Sequence, residues 1–122
     1  SQKPFIVCDT AHNLNGIEEV IKQLNILNFE KLHIILGFTN DKDLSKILPL
    51  YPKTASYYFC EFNSPRSLEK NILQQIALQF GLYGKIYDNV NKALAEAQKT
   101  ATDKDVIFIG GSTFVVAEIH QL

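Results

Sequence analysis

Two apolar runs, residues 32–38 and 106–109, constrain the fold of this chain most strongly. The first is nearly continuous, so a strand made from it is expected to be covered on both faces. That is the situation of an inner strand in a parallel sheet. Parallel neighbours cannot be joined by a tight hairpin; they need a crossover, commonly a helix. The segments between the runs carry the required helical periodicity.

Residues 5–9 form a first strand. A helix over 15–28 follows, with Leu14, Ile17, Val20, Ile21, Leu24 and Leu27 on one face and Glu18 and Glu19 near its positive end. Residues 32–37 give the second strand, and a helix over 44–48 stops at Pro49. The aromatic-rich stretch 55–62 gives the third. Ser64-Pro65 is read as the start of the next helix, which buries Ile72, Ile76 and Phe80 and ends at Gly81. A weak strand at 85–87 precedes a helix over Val90–Thr100 that packs through Val90, Ala93, Leu94 and Ala97. Residues 105–109 are the last strand, and Gly110-Gly111-Ser112-Thr113 leads into a final helix ending near His120. This alternation predicts a small doubly wound α/β domain over 1–122: a mostly parallel, Rossmann-like sheet with helices on both faces and right-handed crossovers.

A chain of 122 residues can bury one core, and 46% hydrophobic with 20% charged residues fits a globular protein. Twelve basic and 13 acidic residues are scattered without a basic stripe, which argues against a nucleic-acid partner. The apolar runs are too short to span a bilayer, and no charged-then-apolar leader opens the chain. Cys8 and Cys60 end predicted strands and read as small apolar residues of a reduced, cytoplasmic protein; a disulfide between them is the lesser reading. The chain contains no methionine and reaches its first strand after four residues. The expectation is therefore a domain excised from a longer protein.

A parallel sheet puts the turns that leave its strands on one edge, the usual ligand edge of such folds. Four polar turns fall there: 9–13, 37–43, 63–66 and 110–113. The Asp9 carboxylate can accept from both ribose hydroxyls, and His12 can donate to phosphate oxygens; equally, Asp9 and Asn13 can cap a helix beside a solvated His12. The glycine turn permits close backbone approach with Ser112 or Thr113 binding an anion, and also reads as a plain tight turn with a Ser112 cap. It lacks the dinucleotide-binding and Walker A patterns. Lys42, between Asp41 and Asp43, reaches a ligand or belongs to a solvated loop. Arg66 can clamp a carboxylate bidentately or lie exposed on the surface. His33 and His120 receive no function, and no Cys/His cluster has zinc spacing.

Together these segments resemble the folylpolyglutamate and dihydrofolate synthases of the Mur ligase superfamily. Asp9-Thr10-Ala11-His12-Asn13 is similar to their D-G-A-H-N-P segment, Gly37 through Asp43 to their G-x-x-x-D-K-D loop, Pro65-Arg66 to their P-R-A turn, and Gly111 through Glu118 to their G-S-L-Y-L-V-G-E segment. The matches come in family order and span the chain as the family's carboxyl-terminal domain. Thr10 replaces a glycine, and Leu14 replaces the proline. The resemblance implies ATP-dependent amide formation: a dihydropteroate or folate carboxylate is phosphorylated, and L-glutamate attacks the acyl phosphate. By the same resemblance Asp9 holds the ATP ribose, His12 acts toward the phosphates with Asn13 beside it, and the Ser112 turn receives glutamate, with Arg66 and Lys42 as further candidates. ATP and Mg2+ would be held mainly by a preceding ATPase domain of the same polypeptide, leaving this lobe inactive alone.

Two other classes compete. A phosphoacceptor receiver needs clustered acids after the first strand, an aspartate after the third and a lysine after the last. The chain offers Asp9, Cys60-Glu61 and Gly110, so that chemistry is absent. A non-catalytic α/β interaction domain, or the same lobe of another Mur-type ligase, stays open.

Overall fold

The computed structural model describes residues 4–9 and 14–119, with side chains in the first helix from Gly16 onward. Its sheet comprises β1 (Phe5–Cys8), β2 (Leu32–Leu36), β3 (Ser56–Cys60), β4 (Gly84–Tyr87) and β5 (Val106–Gly110), in the order β1-β5-β2-β3-β4. Every pairing is parallel. The helices are α1 (Leu14–Ile26), α2 (Leu44–Ile47), α3 (Lys70–Gln79), α4 (Val90–Thr100) and α5 (Thr113–Ala117), and a 3-10 turn occupies Leu48–Leu50. No helix among the described residues is long and apolar enough to cross a membrane.

The two-residue period of the strands divides the core into two layers. Leu32, Ile34 and Leu36 of β2, Tyr57 and Phe59 of β3, and Val106 and Phe108 of β5 pack with Ile17 and Leu24 of α1, Leu44 and Ile47 of α2, and Leu73 and Ala77 of α3. Ile35, Tyr58, Cys60, Ile107 and Ile109 face Val90, Ala93, Leu94 and Ala97 of α4 and Val115 of α5. All five residues of β2 and of β5 are buried, so the two apolar runs are the central strands. Each large apolar side chain so buried contributes about 1.5–3 kcal/mol. Both cysteines are free, and burial pushes the Cys60 thiol up to about 12, the value of an inert core thiol.

The α4 register is the one the periodicity predicts. Elsewhere local signals mislead. Ser64-Pro65 does not open α3: it sits in a turn, after which Ser67 bridges to Thr39 and the Leu68 N–H donates to the Phe38 carbonyl at 2.8 Å. The helix waits until Lys70, whose N–H donates to the Glu61 carboxylate at 2.8 Å, a cap supplied from nine residues away. The delay turns the buried stripe onto Leu73 and Ala77, leaving Ile72 45% exposed. Pro49 does not simply end a helix; it sits in the first turn of the 3-10 segment that continues α2. Glu18 and Glu19 lie beyond the first turn of α1, where the helix dipole has faded. The final helix stops at Ala117, short of the predicted end.

At the amino end of the sheet, His33 is buried within a polar chain. Its Nε2 lies 2.9 Å from Asp105 and its Nδ1 lies 2.8 Å from the Tyr58 hydroxyl. An ionised carboxylate only accepts, so the His33 Nε2–H donates to Asp105, and in that tautomer Nδ1 accepts from the Tyr58 hydroxyl. The Thr102 N–H and hydroxyl also donate to Asp105. Burial alone would raise the Asp105 pKa; the bonds from His33 and Thr102 outweigh it and hold the carboxyl below its ordinary range.

A depressed folded pKa places this stability above the unfolded value of about 4, to be lost as pH falls through the folded one. Urea titration at pH 7 should find Asp105→Ala about 1–3 kcal/mol less stable, since it strands the buried His33 ring N–H and removes the acceptor of two Thr102 donors. The gap should shrink in acid, and a pH-independent gap would contradict the assignment. At the other end of the sheet, Gly111 has φ +98°, and a Cβ there would stand 2.4 Å from the Gly37 carbonyl oxygen. The same titration should show Gly111→Ala losing more than about 1 kcal/mol, and wild-type stability would refute the close packing.

Candidate functional site

Helices α1 and α2, which follow β1 and β2, lie on one face of the sheet, while α5, which follows the intervening β5, lies on the other. Oppositely directed exits from adjacent strands open a crevice at their carboxyl ends. The Asp9 N–H donates to the Ile109 carbonyl at 3.0 Å and the Gly37 N–H to the Gly110 carbonyl at 3.4 Å, which ties the β1, β5 and β2 exits together. The Asn40 N–H donates to the Arg66 carbonyl at 2.7 Å and joins the β3 exit to them. Asp9 and the turns at 37–43, 63–66 and 110–113 therefore share one edge.

Asp9 is half-buried at the rim of a narrow hollow lined by Ile17, Val20, Ile21, Tyr51, Phe108 and Gly111. Burial, reinforced by the Asp9 charge, raises the pKa of the Tyr51 hydroxyl, so that tyrosine is a neutral neighbour of the carboxylate. His12 and Asn13 lie outside the described residues. Ser112 is buried, and its hydroxyl accepts from the Phe114 N–H at 3.1 Å, so it caps α5. The helices that follow the 37–43 and 110–113 turns are short, four residues in α2 and five in α5, so their dipoles are slight.

Arg66 is better placed than sequence alone indicates. Its guanidinium carbon lies 5.5 Å from the centre of the Phe114 ring, and Phe114 stacks on Phe62 at 5.0 Å and 9°. One guanidinium nitrogen stands 3.6 Å from Asp41. The Asp41 carboxyl is held below its ordinary range by Thr39 first, then by its own backbone N–H and the charges of Arg66 and Lys42. The Thr39 hydroxyl is itself buried without a well-formed hydrogen bond. Lys42 is near Asp41 but lines a separate groove floored by Leu44, Leu68, Ile76 and Phe80. Asp43 caps α2 through the Ser45 N–H at 3.2 Å.

Sequence reasoning passed over Phe62, Phe114 and Glu118. Glu118 accepts from the Asn63 N–H at 2.6 Å and lines a cleft of about 550 Å³ with Glu61, Asn63 and Asp88. Lys70 reaches both Glu61 and Asp88, at 3.6 and 3.5 Å, and balances part of that charge. The signal for Phe114 was a large aromatic just after a glycine turn, in a helix too short to bury it; it is 38% exposed. Among the described residues no group of three or more His, Cys, Asp and Glu side chains is placed to hold a metal ion.

Residues 1–113 match the family model of the Mur ligase, glutamate ligase domain. The dihydrofolate synthase/folylpolyglutamate synthase of Buchnera aphidicola subsp. Schizaphis graminum is 27% identical over 98% of this chain, which covers 28% of that protein. UDP-N-acetylmuramyl-tripeptide synthetase 2 of Oceanobacillus iheyensis is 33% identical over 87% of the chain, covering 22% of its own length. A Mycobacterium tuberculosis folylpolyglutamate synthase complexed with ADP superposes with a TM-score of 0.82 at 25% identity, over 90% of this chain and 28% of that one. The chain thus spans under a third of the length of the relatives it matches. It belongs to the Mur ligase, glutamate ligase domain family.

Proposed function

We propose that this chain is the carboxyl-terminal lobe of an ATP-dependent folylpolyglutamate/dihydrofolate synthase. The full polypeptide would join L-glutamate to a folate or dihydropteroate carboxylate through an acyl phosphate. The observation that carries the reading is the meeting of Asp9 with three polar turns at one carboxyl edge in a chain of this family. The short span relative to its relatives supports a lobe that completes a site begun on a preceding ATPase domain, by closing over it.

In this reading Asp9 accepts from the ribose hydroxyls at the rim of its hollow. His12 donates to the phosphates as the catalytic candidate, with Asn13 beside it. Arg66 takes the carboxylate of the incoming glutamate, near the turn that Ser112 caps, and Lys42 contributes positive charge from its own groove. Magnesium, when bound, neutralises charge on the transferring phosphoryl group, and its ligands would come from the preceding domain. The free cysteines suit a reducing compartment, which supports a cytoplasmic location. The identity with the tripeptide synthetase supports one alternative, the same lobe of a ligase with another amino acid.

In the full-length protein, Asp9→Ala and His12→Ala should each lower kcat/KM for ATP by about tenfold or more, the loss of a charge-assisted hydrogen bond. Unchanged ligation in both would favour the non-catalytic interaction domain. The 122 residues alone should release no phosphate from ATP in the presence of glutamate and folate. Turnover by that fragment would overturn the division of labour.

A further inference from the structure

Resting on the proposed role of Arg66, we propose that Phe114 is a positioning residue that holds the Arg66 guanidinium ready for the carboxylate of the incoming amino acid. Arg66 is on the β3 exit, Phe114 in the first turn of α5, and Asp41 on the β2 exit, so the cluster spans three separate turns of the carboxyl edge. An arginine side chain has several rotatable bonds, and ordering it on binding costs affinity. A ring whose centre stands 5.5 Å from the guanidinium carbon restricts that motion in advance.

The manner of the contact matters as much as its presence. A guanidinium donates through N–H groups in its own plane, so an aromatic face attracts its charge without consuming a donor. Asp41 takes up little of that capacity: its oxygen is 3.6 Å from the nearest guanidinium nitrogen, beyond hydrogen-bond length, and both side chains are more than half exposed. The in-plane edge of Arg66 is left to meet a carboxylate bidentately. Phe114 is itself fixed from beneath by Phe62, nearly parallel at 5.0 Å. Phe62 is buried, so the ring stack transmits the rigidity of the core to an exposed cation.

Steady-state kinetics of the full-length protein, with saturating ATP and folate acceptor and varied L-glutamate, test this. Phe114→Leu keeps an apolar side chain over Phe62 and removes the π face. It should raise KM for glutamate about three- to fivefold, the effect of an exposed cation–π contact, with kcat and KM for ATP unchanged. Phe114→Tyr should restore the wild-type value, and Arg66→Ala should raise KM for glutamate at least about tenfold. Were Arg66→Ala to raise KM while Phe114→Leu did not, the positioning role would be refuted and the reading of Arg66 would stand. Were Arg66→Ala silent, that reading would fall and this one with it. A Phe114→Leu variant that lowers kcat and shifts both KM values alike, without rescue by tyrosine, would mark a merely structural residue.

Discussion

The passage of the β5 exit turn over the β2 exit turn is the contact on which the candidate site depends. Gly110 and Gly37 meet through the backbone, and Gly111 crosses the Gly37 carbonyl at a distance that excludes any side chain. The positive φ of Gly111 bends the chain toward α5 directly after β5. Were the turns farther apart, Asp9 on one side and the Arg66 cluster on the other would not share an edge. The crevice is thus a product of backbone packing before any polar side chain contributes.

The two ends of the sheet meet different physical demands. At the amino end, buried Tyr58, His33 and Asp105 form a hydrogen-bonded chain across β3, β2 and the entry to β5, closed by Thr102 at the surface. Such a chain is stabilising only while complete, because each missing partner leaves a desolvated polar group. At the carboxyl end the polar groups are partly exposed and loosely paired, as with Arg66 and Asp41. Exposed charges gain little from one another and retain their capacity for a ligand.

The sheet itself was legible because its signals are strong and local to each strand. Uninterrupted burial of β2 and β5, and the α4 stripe of Val90, Ala93, Leu94 and Ala97, follow directly from periodicity. The start of α3 was not legible: Ser64-Pro65 is a sound local helix signal, and pairing of 66–68 with 38–40 overrode it. The Glu61 cap on Lys70 could not be read from neighbouring residues. The polar turns were found by composition and strand-end position, whereas the aromatic stack under Arg66 was not. Phe62 and Phe114 are 52 residues apart and carry no polar chemistry of their own, so only three-dimensional proximity gives them a function. Ser112 is engaged as the helix cap that its place after a glycine turn also allowed.

We propose that this carboxyl edge forms one wall of a ligase active site. A crystal structure of the full-length protein with ADP and L-glutamate tests it most directly. The claim predicts Asp9 within about 3.2 Å of a ribose hydroxyl and the glutamate carboxylate at a similar distance from Arg66. Both ligands bound wholly on the preceding domain, with this edge turned to solvent in the closed state, would contradict it.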